Sequence, residues 1–101
     1  MDGFALLADP TRRRILDLLR AADEGAGEAA DERAGEGAGE GVDVSGLVEA
    51  LDLPQPLVSK HLRALRESGA VTASVDGRRR VYRLAADPLR DVLAWVEPYR
   101  R

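Results

Sequence analysis

From Gln55 onward the apolar residues keep helical spacing as far as Gly69, then switch to a period of two on either side of Asp76-Gly77. A helix repeats its face every 3.6 residues and a strand every two, so this segment is read as a helix followed by a hairpin. The helix spans about residues 55–68, with Val58, Leu62 and Leu65 on its inner face and Gly69 supplying the left-handed residue just past its end. Asp-Gly between alternating residues is a strong hairpin signal, with strands expected over residues 70–75 and 78–84.

Helical patterns precede and follow this unit. Asp43 caps a helix over residues 44–51 that buries Leu47, Val48 and Leu51, and a short strand over residues 42–44 is expected before it. Residues 52–54 make a tight turn into the next helix. Residues 4–8 read as a short first helix. Asp9-Pro10 then combines an N-cap with a proline at the first helical position. The helix it opens carries Ile15, Leu18, Leu19 and Ala22 on one face and ends near Asp23. Asp87-Pro88 repeats the signal and opens a last helix with Leu89, Val92, Leu93 and Val96 as its stripe, weakened at its end by Pro98. Four helices, a hairpin and a final helix describe a winged helix-turn-helix, a mainly α fold with a small β-hairpin (α+β) in one domain over residues 1–101.

Residues 24–41 stand apart, with six glycines, five alanines, six acids and one arginine. No apolar period runs through them, and the repeated glycines oppose helix, so a flexible acidic insert is expected. About 80 residues are then left for a core, which is marginal for a chain with four aromatic residues, and a second copy would supply the missing burial. There is no cysteine, which removes disulfides and thiolate metal sites. No apolar run reaches the ~18–20 residues needed to cross a membrane. Met1-Asp2-Gly3 has no signal-peptide character, so a cytoplasmic location is expected.

The net charge of −3 hides a strong asymmetry: residues 22–52 carry ten acids and one base, and residues 53–83 carry seven bases and two acids. The basic half holds the residues suited to double-stranded DNA. Gln55, Ser59 and Arg63 recur every four residues on the face opposite Val58 and Leu62, flanked by Lys60 and His61. Gln, Ser and Arg match donors and acceptors on base edges in a major groove that admits one helix, while lysine suits a phosphate. A solvated helix face is the plain alternative. The arginines beside the hairpin turn, Arg78, Arg79 and Arg80, tip the balance, since a basic wing suits phosphates or a minor groove. An edge strand charged against aggregation is the competing account of them. Arg12, Arg13 and Arg14 sit where cations oppose the helix dipole, so a structural pairing, for example Arg13 with Asp17, is favoured over DNA contact. One histidine and no cysteine make no recognisable metal site, and no nucleophile–base pair or phosphate loop points to an enzyme or a cofactor.

Taken together, LADPTRRRILDLL at residues 7–19, PLVSKHLRALRESGAV at residues 56–71 and DGRRRVYRL at residues 76–84 resemble the ArsR family of winged-helix repressors. The resemblance covers the chain except the insert. It implies a symmetric homodimer built from the first and last helices and a partly palindromic operator. It also implies recognition-helix positions for Gln55, Ser59, Lys60, His61 and Arg63, and wing-tip positions for Arg78 and Arg79. Phe4, Leu7, Leu93 and Trp95 are the candidate interface residues. The chain departs from metal-sensing members in having neither cysteine nor histidine in the third or last helix, so it resembles the subgroup without metal sites, whose inducer this sequence does not identify. Pro54 stands where a capping Ser or Thr is usual. A winged-helix module for protein–protein contact, without specific DNA readout, is the alternative, and three wing arginines argue against it.

Overall fold

The computed structural model describes residues 2–29, 41–85 and 88–100. Helices α1 (Gly3–Leu7) and α2 (Pro10–Ala29) are followed by strand β1 (Val42–Asp43), helices α3 (Val44–Leu51) and α4 (Gln55–Glu67), strands β2 (Val71–Asp76) and β3 (Arg79–Leu84), helix α5 (Leu89–Val96) and a 3₁₀ turn over Glu97–Tyr99. The fold is the mainly helical winged arrangement expected, but its hairpin gains β1 and becomes a three-stranded antiparallel sheet in the order β1-β3-β2. None of the helices among the described residues is long and apolar enough to cross a membrane.

Local chemistry sets most boundaries. Asp2 caps α1 by accepting from the Ala5 N–H. Asp9 caps α2, its Oδ1 accepting from the N–H groups of Thr11 and Arg12 at 2.8 and 3.2 Å. Asp43 caps α3 through the Gly46 N–H at 2.9 Å. At the end of α4, Gly69 has φ +86°. The Ala70 N–H then reaches the Leu65 carbonyl and the Gly69 N–H the Arg66 carbonyl, the paired bonds that close a helix around a left-handed residue.

Three boundaries differ from the sequence reading. Helix α2 does not stop near Asp23 but runs to Ala29, so residues 24–29 are helix rather than insert. Extending an existing helix costs only local propensity, and two glycines at ~1 kcal/mol each do not outweigh Glu and Ala once the nucleus exists. Residues 30–40, the rest of the expected insert, lie outside the described residues. The hairpin loop is Gly77-Arg78 rather than Asp76-Gly77, because Asp76 pairs with Arg79. This register sets Val71 opposite Leu84 and Ala73 opposite Tyr82, and leaves Arg80 across from exposed Val75. A loop one residue earlier would have set Arg80 against Ala73. Helix α5 begins at Leu89 with Pro88 in the capping position and no side-chain cap bond. Asp87, the expected cap, lies outside the described residues.

The core is one cluster in which Leu6, Ile15, Leu19, Leu47, Val58, Leu62, Leu65, Val71 and Tyr82 are buried. The inner faces read for α2, α3 and α4 are thus largely the buried ones, with Leu18, Val48 and Leu51 half-buried around them. Helix α5 differs: none of its residues is buried.

Candidate nucleic-acid interface

Helix α4 is held by its apolar face, where Val58, Leu62 and Leu65 are fully enclosed. The opposite face is therefore fixed in direction, and Gln55, Ser59, Lys60 and Arg63 are exposed on it. Pro54 at the capping position makes no side-chain bond. The start is nevertheless closed, for two physical reasons. Pro54 and Pro56 have no N–H to satisfy, and the Leu57 N–H finds the Pro54 carbonyl at 3.1 Å.

Arg63 lends its Nε to Glu67 Oε1 at 2.9 Å, with the two side chains 76% and 63% exposed. An exposed pair four residues apart is worth only ~0.3–0.5 kcal/mol, so Arg63 leaves Glu67 at little cost when a base edge offers two acceptors. His61 is half-buried on the flank of the helix, near Asp9 at the start of α2. Burial opposes ionisation of Asp9, but the N–H groups of Arg12 and Thr11 and the charges of His61 and Arg12 outweigh it and hold the carboxyl below its ordinary pKa. Leu57 is an apolar residue that sequence reasoning did not pick out. It is 39% exposed in the first turn of α4, and its mismatch with the spacing of Val58, Leu62 and Leu65 was the available signal.

In the hairpin, Arg78 occupies the loop, and Arg79 and Arg80 begin β3, all three exposed. They are not equivalent. Arg79 Nε donates to Asp43 Oδ2 at 3.0 Å. Because Oδ1 of the same carboxylate caps α3, Asp43 ties the wing to the first helix of the helix-turn-helix. The Gly46 N–H, working against partial desolvation, and then the Arg79 guanidinium hold the Asp43 carboxyl below its ordinary pKa. Arg83, further along β3, donates to Ser74 Oγ at 2.8 Å.

The arginine cluster of α2 has partners of another kind. Arg12 donates from Nε to the Leu6 carbonyl at 3.2 Å and from Nη2 to the Ala5 carbonyl at 3.1 Å, and Arg13 donates to the Leu7 carbonyl. These carbonyls end α1, so the two guanidiniums close a five-residue helix that has no intrahelical acceptors left to use. The structural role favoured for them has carbonyl partners rather than Asp17.

The candidate interface residues of the terminal helices divide. Leu7 is half-buried and packs against the core. Phe4, Leu93 and Trp95 are 45%, 63% and 59% exposed, joined by Val96 and Tyr99. Trp95 packs edge-on against Phe4, with ring centroids 6.0 Å apart, and against Tyr99 at 5.1 Å.

Comparison with known proteins places this arrangement. Residues 39–73 match the family described as bacterial regulatory protein, arsR family. The HTH-type transcriptional repressor SmtB of Mycobacterium tuberculosis is 55% identical over 42 residues, which is 42% of this chain and 31% of that repressor's length. The transcriptional repressor SdpR of Bacillus subtilis is 29% identical over 93 residues, covering 92% of this chain and 83% of SdpR. A crystal structure described as a possible transcriptional regulator for arsenical resistance superposes with a TM-score of 0.71 at 30% identity, over 98% of this chain and 84% of that one.

Proposed function

Because the chain belongs to the ArsR family of bacterial regulatory proteins, we propose that it is a dimeric, cytoplasmic repressor that reads a partly palindromic DNA operator without using a metal as its signal. The observation that carries the reading is the outer face of α4. Gln55, Ser59, Lys60 and Arg63 are exposed on a helix locked by its other side, with an arginine-bearing hairpin next in the chain. Gln55, Ser59 and Arg63 supply donors and acceptors for base edges, Leu57 an apolar contact for a thymine methyl, and Lys60, Arg78 and Arg80 charge for phosphates. The dimer is supported by the uncovered apolar face of Phe4, Leu93, Trp95, Val96 and Tyr99. The absence of a metal signal is supported by composition: with one histidine and no cysteine, the chain lacks the ligand set that zinc or cadmium sites use.

Titration of the protein's own upstream DNA and of random DNA at several salt concentrations tests the reading. Each phosphate contact contributes about 0.9 to the log–log salt slope, and two-fold symmetry uses each residue twice. Replacing Arg78 and Arg80 by alanine is expected to flatten the slope on both DNAs. Gln55→Ala is expected to cost ~1–3 kcal/mol on the operator and little on random DNA. A salt slope unchanged by the arginine substitutions would remove the wing from the interface.

A further inference from the structure

Where α2 crosses the end of β3 and the start of α5, the chain leaves a cleft of about 220 Å³. Its apolar wall is made by Leu7 of α1, Leu16 of α2, Leu84 of β3 and Leu89 of α5. Its polar rim is one stripe of α2, Arg13, Asp17 and Arg20, set at helical spacing directly above Leu16. Neither DNA contact nor the apolar face around Trp95 uses this place.

We propose that this cleft binds a small amphipathic organic monoanion, a carboxylate on a short hydrocarbon chain. The charge count on the rim decides the sign of the ligand. Two guanidiniums face one carboxylate, so the site carries a net positive charge over an apolar wall. Arg13 has donors to offer beyond the one it gives to the Leu7 carbonyl, since a guanidinium carries five. Planar guanidinium groups match a carboxylate with two parallel hydrogen bonds. The volume sets the size: it falls below the ~300–1,000 Å³ typical of sites for drug-sized molecules. Four leucines without a hydrogen-bonding side chain among them call for a saturated tail rather than a sugar or a nucleotide.

The walls also give the ligand leverage. Leu16 and Leu84 belong to the body that carries α4 and the wing, whereas Leu7 and Leu89 belong to α1 and α5, the helices of the proposed dimer face. A molecule seated between them makes contacts to both and biases how they pack, which is what a signal molecule requires if it is to alter DNA affinity. That last step rests on the function proposed above; binding itself does not.

Octanoate is the probe, titrated into the full chain by calorimetry without DNA, so the outcome is independent of operator binding. Saturable binding is expected, with octanol at least tenfold weaker. Arg20→Gln is expected to weaken octanoate about tenfold and leave octanol unchanged. Leu89→Trp, which fills the cleft from its half-buried edge, is expected to abolish binding of both while the helical circular dichroism is retained. Equal affinity for octanoate and octanol, equal octanoate affinity in the wild type and Arg20→Gln, or no saturable binding to the folded wild type would each overturn the proposal. A second titration, of operator affinity with and without octanoate, reads the regulatory step separately.

Discussion

Leu62 on α4 is fully enclosed by its own chain, whereas Trp95 on α5 leaves 59% of its surface in solvent. The contrast runs through both helices. Helix α4 buries three side chains and ends in a satisfied turn around Gly69. Helix α5 buries none, starts without a side-chain cap and dissolves into a 3₁₀ turn at Pro98. An eight-residue helix is too short to hold itself in water, where isolated helices below ~12–15 residues are marginal. Its order therefore depends on what covers its apolar face. Within this chain only part of that cover exists, in the contact of Trp95 with Phe4.

The contrast can be broken most easily at its larger end. Leu62→Ala removes a fully buried side chain and is expected to destabilise the protein by ~2–5 kcal/mol in urea unfolding. A loss under ~1 kcal/mol would mean that α4 is held no better than α5. Trp95→Ala should do the opposite. It is expected to cost the dimer ~2 kcal/mol or more of association free energy, as aromatic anchors at interfaces do, with little change in the unfolding of dilute protein. Sedimentation that finds the variant as tightly associated as the wild type would return Trp95 to the role of a cap on its own subunit.

The smallest effect lies at the caps. The folded-state pKa values of Asp9 and Asp43 are depressed. Their contribution to stability is therefore complete above the unfolded aspartate value of about 3.9 and is lost as pH falls through the depressed values. Asp43→Asn is expected to be slightly less stable at neutral pH and to lose less on acidification, as thermal melts at pH 7 and pH 3 would register. Identical acid sensitivity in the variant and the wild type would show that the Asp43 carboxylate contributes nothing beyond its geometry.

Helix α4 was legible because its signals are local and agree: the period of Val58, Leu62 and Leu65, then Gly69. The outer-face residues followed from the same period. What the sequence concealed is long-range or a close balance. Asp43 and Arg79 lie 36 positions apart, and no periodicity connects them. Residues 24–29 set glycine against alanine and glutamate, and composition alone does not reveal that a preceding helix tilts the outcome. The hairpin was displaced by one position at its loop because Asp-Gly describes the turn, while the pairing of Val71 with Leu84 across the sheet decides the register. Leu7 was placed at a subunit contact from its helix, although its own side chain turns toward Leu16 and Leu84.

Between Val42 and Leu84 the connections are nearly as short as a chain permits. Residues 52–54 join the two helices, residues 68–70 lead into the sheet, and Gly77 and Arg78 alone turn the hairpin. Nothing at all separates β1 from α3, because Asp43 is at once the strand residue opposite Val81 and the cap of the helix. One added residue there would force the aspartate to abandon one of those duties. Changes of chain length are thus confined to the stretches before Gly41 and after Leu84. Those are the places where descendants of this chain can gain or lose residues, and where a tag or a reporter domain can be grafted while the reading helix keeps its aim.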